Sequence, residues 1–198
     1  MPSPFDQSRY QVRLEHGPDG LRRLAPSDVI VIVDVLDASV QAIGAATADA
    51  DLAVTDLSDA AQTIIAATQA PVLLFGGLRN ASAIAAAILA EQERRAERTS
   101  VALVASTPGG RFAAENQLAA GAIVDALAAR GIDHSSPEAA VACEAFRALR
   151  SAVRHMITAA GTGQFLVDEG RREAVLAQAR IDDTDMVPVL RNGAVVRL

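Results

Sequence analysis

Three short clusters in this chain carry the residue types that bind phosphoryl groups and divalent cations. The first is Asp34, Asp37 and Ser39. The second is Gly76-Gly77-Leu78-Arg79-Asn80, and the third is Ser106-Thr107-Pro108-Gly109-Gly110, with Glu115 shortly after it. Asp34 and Glu115 are oxygen donors of the kind that Mg2+ takes alongside water. Arg79 carries a planar fork of N–H donors that matches a phosphate or carboxylate edge. The glycines let backbone N–H groups approach a ligand, and helix N-termini attract anions.

Each feature also has a plainer reading. Asp34 suits a helix cap. The glycine pairs suit tight turns and match neither the dinucleotide nor the P-loop pattern. Arg79 suits a solvated surface, and Glu115 near a helix start favours the macrodipole by itself. His16, His134 and His155 are scattered without metal-ligand spacing, which points to structural or surface roles. Cys143, the single cysteine, lies in a helical run and reads as a buried, inert thiol. Ser39 and Ser106 have no neighbouring histidine and no nucleophile-elbow pattern.

The elements around these clusters are legible. Val29-Ile30-Val31-Ile32-Val33 is a continuous β-branched run, the signature of a strand buried on both faces in a parallel sheet. Asp34 ends that run at the edge where open α/β sheets place ligands. Strands are expected at about 28–35, 51–54, 71–75 and 101–105. Helices are expected at 38–48, 56–67 with Asp56 or Ser58 as its N-cap, from Asn80 or Ser82 to Glu97, 113–130, 137–160 and 169–180. Arg9–Glu15 reads as a half-exposed strand, Gly17-Pro18-Asp19-Gly20 as a turn, and residues 1–8 as a loose tail. Asn192-Gly193 between two apolar runs is a hairpin signal. The alternation predicts one three-layer α/β/α domain over residues 1–198. Its sheet is mostly parallel, with an antiparallel C-terminal hairpin at the edge. Asp34, Arg79 and Ser106 should then share one edge of the sheet.

Composition narrows the class. The net charge of −6 argues against non-specific nucleic-acid binding, which needs a basic surface. One cysteine allows no internal disulfide and fits a reducing compartment. The start has no basic and apolar signal-peptide pattern, and the longest apolar candidate, Ala81–Ala90, is too short to span a bilayer. A cytoplasmic protein without membrane or nucleic-acid partners is the expectation.

The order of segments resembles the 2-phosphosulfolactate phosphatase family. The matching residues are Val31–Leu36 with Ala38-Ser39, and Gly76–Ala81. Ser106–Gly110 with Phe112, Glu115 and Ala119-Ala120-Gly121 also match, as does Val187-Pro188. The resemblance implies an α/β/α fold, a homodimer, Mg2+ dependence and hydrolysis of a phosphate ester on a small anionic acid. It assigns the metal and catalysis to Asp34 and Glu115, with a metal-activated water as nucleophile. Substrate binding falls to Ser39, Arg79, Asn80, Ser106, Thr107, Gly109 and Gly110. The chain departs from the family at Asp37, where the family has arginine, and at Asn116, where it has aspartate. The family's Gly-Asn-Ser-Pro and Thr-Thr-Asn-Gly-Thr motifs have no counterpart here. A rival reading is a non-catalytic homologue that binds small molecules or serves as a dimeric scaffold.

Overall fold

The computed structural model describes residues 3–68 and 70–198. Residues 1 and 2 of the expected tail lie outside them. The rest of that tail is pinned: the Gln7 amide bonds both backbone groups of Leu14, at 2.9 and 3.1 Å.

The strands are β1 (Val12–His16), β2 (Val29–Val33), β3 (Leu52–Ala53), β4 (Val72–Gly76), β5 (Val101–Ala105), β6 (Pro188–Arg191) and β7 (Ala194–Arg197). The helices begin with α1 (Gly17–Arg23), α2 (Ala38–Thr47), α3 (Asp59–Ala67), α4 (Ala81–Arg95) and α5 (Ala114–Ala128). They continue with α6 (Pro137–Leu149), α7 (Val153–Ala159), α8 (Gly161–Asp168) and α9 (Arg172–Gln178). All seven strands form one sheet in the order β1-β5-β2-β4-β6-β7-β3. Strands β1, β5, β2 and β4 are parallel, and β6, β7 and β3 add antiparallel pairings. The expected α/β/α class is therefore the observed one.

β2 lies between β5 and β4 and is buried along its whole length, as its unbroken β-branched run requires. Two apolar layers flank the sheet. Val29, Val31 and Val33 pack on one face with Ile84, Ile88, Ile123 and Leu127 of α4 and α5. Ile30 and Ile32 pack on the other with Ala38, Ala42, Ala61 and Ile64 of α2 and α3. Alanine brings these helices close. At Gly121 of α5 the approach is closest: a Cβ there would stand 2.1 Å from the Ala142 carbonyl of α6.

Several boundaries differ from expectation. Gly17–Gly20 opens a helix, not a turn: Pro18 takes a first-turn position, where a missing N–H costs nothing. β1 is mostly buried, because β5 pairs along one side of it. The expected strand at 51–54 shrinks to the two residues of β3. The long helix at 137–160 breaks into α6, a 3-10 turn at Arg150–Ala152 and α7. The hairpin forms as expected, with Asn192 and Gly193 both at positive φ (51° and 82°). It leaves the outermost position to β3. No described helix is long and apolar enough to cross a membrane.

Candidate functional site

Val33 and His16 both align with Ala105, and Val33 also aligns with Gly76. The loops that follow these parallel strands therefore open on one edge, which brings Asp34, Arg79 and Ser106 to the same side of the sheet. His16 joins them there. Sequence reasoning passed over it, because its only signal is its position at the end of a strand.

Asp34 is 3% exposed. Its Oδ2 accepts from Ser58 Oγ at 3.4 Å, and Ser58 also caps α3 by accepting from Ala61 N. The expected alternative cap, Asp56, falls in the preceding turn. Burial pushes the Asp34 carboxyl up to about 7, and the charge of Asp37 adds to the rise. The Ser106 hydroxyl, the Ala38 backbone N–H and Ser58 act in the opposite direction. Ser106 is fully buried, and its Oγ lies close enough to favour the Asp34 charge without reaching hydrogen-bond geometry with any described group. Asp37 occupies the cap position of α2 and is half-buried. Desolvation raises its pKa, while the charge of Arg171, at the start of α9, lowers it.

The remaining expected residues divide. Ser39 is a brace: its Oγ accepts from Asp34 N at 3.0 Å and donates to Gly76 O at 2.8 Å, tying the ends of β2 and β4 together. Asn80 is fully buried and spends its amide on backbone, accepting from Gly77 N and donating to Phe75 O at the end of β4 and to Met186 O far along the chain. Arg79 does carry a carboxylate in its fork, but the carboxylate is internal: Nε and NH2 reach Asp183 at 2.7 and 3.3 Å. Next to it, Asp182 accepts from Ser82 N and Oγ and so caps α4 from a hundred residues away. Residues 182–186 thus strap the β4–α4 loop. Thr107 packs its Oγ1 against Gly17, where a Cβ would stand 2.5 Å from it, and Gly17 also holds a left-handed φ of 63°. Gly109 and Gly110 sit exposed in a 3-10 turn at positive φ.

Asn116 is a further residue of consequence. Its Oδ1 accepts from Val35 N at 2.8 Å and its Nδ2 donates to Ser106 O at 3.0 Å. It locks the Asp34 loop to the Ser106 loop, a task that needs a donor and an acceptor together and that aspartate cannot perform. The neighbouring Glu115 is 2% exposed and lines a recess of about 160 Å3 with Pro108, Arg111, Phe112, Gly161 and Thr162.

Asp34 and Asp37 form an oxygen-rich pair whose mutual repulsion a divalent cation would relieve. Mg2+ keeps several waters and needs only one or two carboxylates, so this pair fits it. Among the described residues no cluster of three or more acidic, histidine or cysteine side chains is present.

A mostly parallel α/β/α sheet with a buried carboxylate at the carboxyl end of an inner strand carries that group where open sheets of this class place their ligands. The family is more specific. A family model described as 2-phosphosulpholactate phosphatase matches residues 46–193, well over half of the chain, and the chain belongs to that family. The matched span contains Arg79, Ser106–Gly110, Glu115 and Asn116, whereas Asp34, Asp37 and Ser39 precede it. No curated protein matches the chain.

Proposed function

We propose that this protein hydrolyses a phosphate ester of a small anionic acid in the cytoplasm, with Mg2+ as cofactor. The observation that carries the reading is Asp34: a buried carboxyl, raised to about 7, facing the unpartnered hydroxyl of Ser106 at the sheet's carboxyl edge. A structural carboxylate is normally hydrogen-bonded and acidic, whereas a group displaced this far marks a functional site. Asp34 anchors the cation. Asp37 shares its surroundings, and Glu115, the second ligand implied by the family, lies beside the Asn116 lock. When bound, Mg2+ supplies charge to stabilise the phosphoryl oxygens. Ser106, itself buried, sets its free hydroxyl against the Asp34 carboxyl, and the exposed Gly109-Gly110 turn offers backbone approach to the ligand. Asn116 and Ser39 hold the loops in place. A twofold homodimer belongs to the same reading, and light scattering at micromolar concentration should return twice the monomer mass.

The test is turnover of a panel of phosphate esters with Mg2+ and with chelator. Activity should require the metal and vanish in Asp34→Asn, whose amide supplies no charge for the cation. Activity that survives chelation or the substitution overturns the reading.

A second reading, a ligand-binding homologue without turnover, draws support from the Arg79 fork, which an internal carboxylate already fills. It predicts binding of phosphate without hydrolysis.

A further inference from the structure

Asp183 does for Arg79 what a ligand would do. Both its oxygens lie in the guanidinium fork, on Nε at 2.7 Å and on NH2 at 3.3 Å, the two-point grip that arginine gives a carboxylate or a phosphate edge. Neither partner is sealed away: the side chains are 25% and 22% exposed. An ion pair this open to water holds weakly and exchanges with an anion from solution. Asp183 also has a second cation to turn to. Arg180, three residues earlier and largely exposed, already stands 3.5 Å from its Oδ2. The segment that carries Asp183 is tied to the Arg79 loop through backbone, Asp182 N donating to Leu78 O at 3.0 Å and Thr184 N to Arg79 O at 3.1 Å. These bonds keep the carboxylate beside the fork whichever way its side chain turns, so it competes from fixed short range and not from bulk solution.

Arg79 is joined to the Asp34 loop. It lines one recess with Val35, Ser39, Gly77 and Gln178, and the Ser39 hydroxyl in that wall accepts from Asp34 N. The recess measures about 10 Å3, the lower limit for a single water. Gln178, the last residue of α9, closes it. An oxyanion reaches Arg79 from the Ser39 side only when the Gln178 and Asp183 side chains withdraw. Resting on the phosphatase reading above for the arrival of a phosphoryl group at this edge, we propose that Asp183 is a tethered competitor for the Arg79 fork. An incoming oxyanion displaces it towards Arg180, and its return helps to expel the phosphate that hydrolysis leaves behind.

The test is calorimetric titration of inorganic phosphate, with Mg2+ present, into the wild-type protein and into Asp183→Asn, which keeps the shape of the side chain and the backbone ties. The variant should bind phosphate about threefold to tenfold more tightly, since it loses a competitor and a like charge together. Asp185→Asn removes the same charge from an exposed position of the same segment and should leave the affinity unchanged. Arg79→Gln, combined with Asp183→Asn, should remove the gain. Equal affinity in the wild type and Asp183→Asn overturns the proposal, as does a gain that Asp185→Asn shares or that survives Arg79→Gln. If no variant binds phosphate the proposal falls, and the phosphatase reading stands or falls on ester turnover alone. The expected gain without turnover of any ester upholds the competitor and overturns the phosphatase reading.

Discussion

Asp34→Asn should make the protein more stable as it makes it inactive. In the unfolded chain the carboxyl titrates at its ordinary value of 3.8, and in the folded protein near 7. Between those values the folded protein holds a proton that the unfolded chain has released. Stability therefore falls as pH rises through that window, and the deficit is complete above about pH 7. At ~1.4 kcal/mol per pKa unit, the shift corresponds to about 4 kcal/mol. Asparagine carries no charge to desolvate, still accepts from Ser58, and can donate to Asp37. Denaturant titrations of the two proteins without metal should agree below about pH 4 and diverge to a few kcal/mol by about pH 8, with the variant the more stable. The matching rise in melting temperature is on the order of 10 °C. A difference that stays constant with pH would refute the argument, because a packing change has no reason to titrate. Asp37→Asn should reproduce part of the gain, since Asp37 supplies the second cause of the shift after burial. Saturating Mg2+ should narrow the gap by stabilising the wild-type protein alone.

Asn116→Leu should cost about 2–4 kcal/mol in denaturant unfolding, because it strands the Val35 N–H and the Ser106 carbonyl out of water. Gly121→Ala should destabilise by about 1–3 kcal/mol through its clash with the Ala142 carbonyl. Gly44→Ala, in α2 with nothing within 4 Å, should stabilise by about 0.5–1 kcal/mol, and calorimetric melts would check both. Asp183→Ala should change stability by less than about 1 kcal/mol, since the pair is partly exposed. It should also speed proteolysis at residues 182–186 and tighten the binding of inorganic phosphate by freeing Arg79.

What could be foreseen follows the range of the forces involved. The β2 run, the Ser58 cap and the Asn192-Gly193 turn are local patterns, and each appears where its chemistry places it. The position of Asp34 at the carboxyl edge follows from β2 alone. The surroundings of Asp34 do not, since Ser58 and Ser106 reach it from other loops. The same is true of Arg79: its type suggested an anion, but only the tertiary fold reveals that the anion is Asp183. Asn80 sits where a helix cap belongs, yet Asp182 takes the duty, and no local pattern announces a cap from so far along the chain. The break at Arg150–Ala152 carries no proline or glycine to signal it. Asn116 stood out as a departure from the family, and its two hydrogen bonds give it a structural purpose.

The rim around the site is drawn from the far end of the chain. Arg171 supplies the charge that acts on Asp37, Gln178 lines a small recess together with Ser39 and Arg79, and Asp183 holds the Arg79 fork. The pairings among the parallel strands are complete at β5, yet part of the cover of β2 comes from α5 beyond it and the outer partner of β4 is β6. A chain cut short before residue 171 would therefore keep the strand ends that carry Asp34 and Ser106 but lose the cation that acts on Asp37, the carboxylate that fills the Arg79 fork and the strand that closes the β4 side.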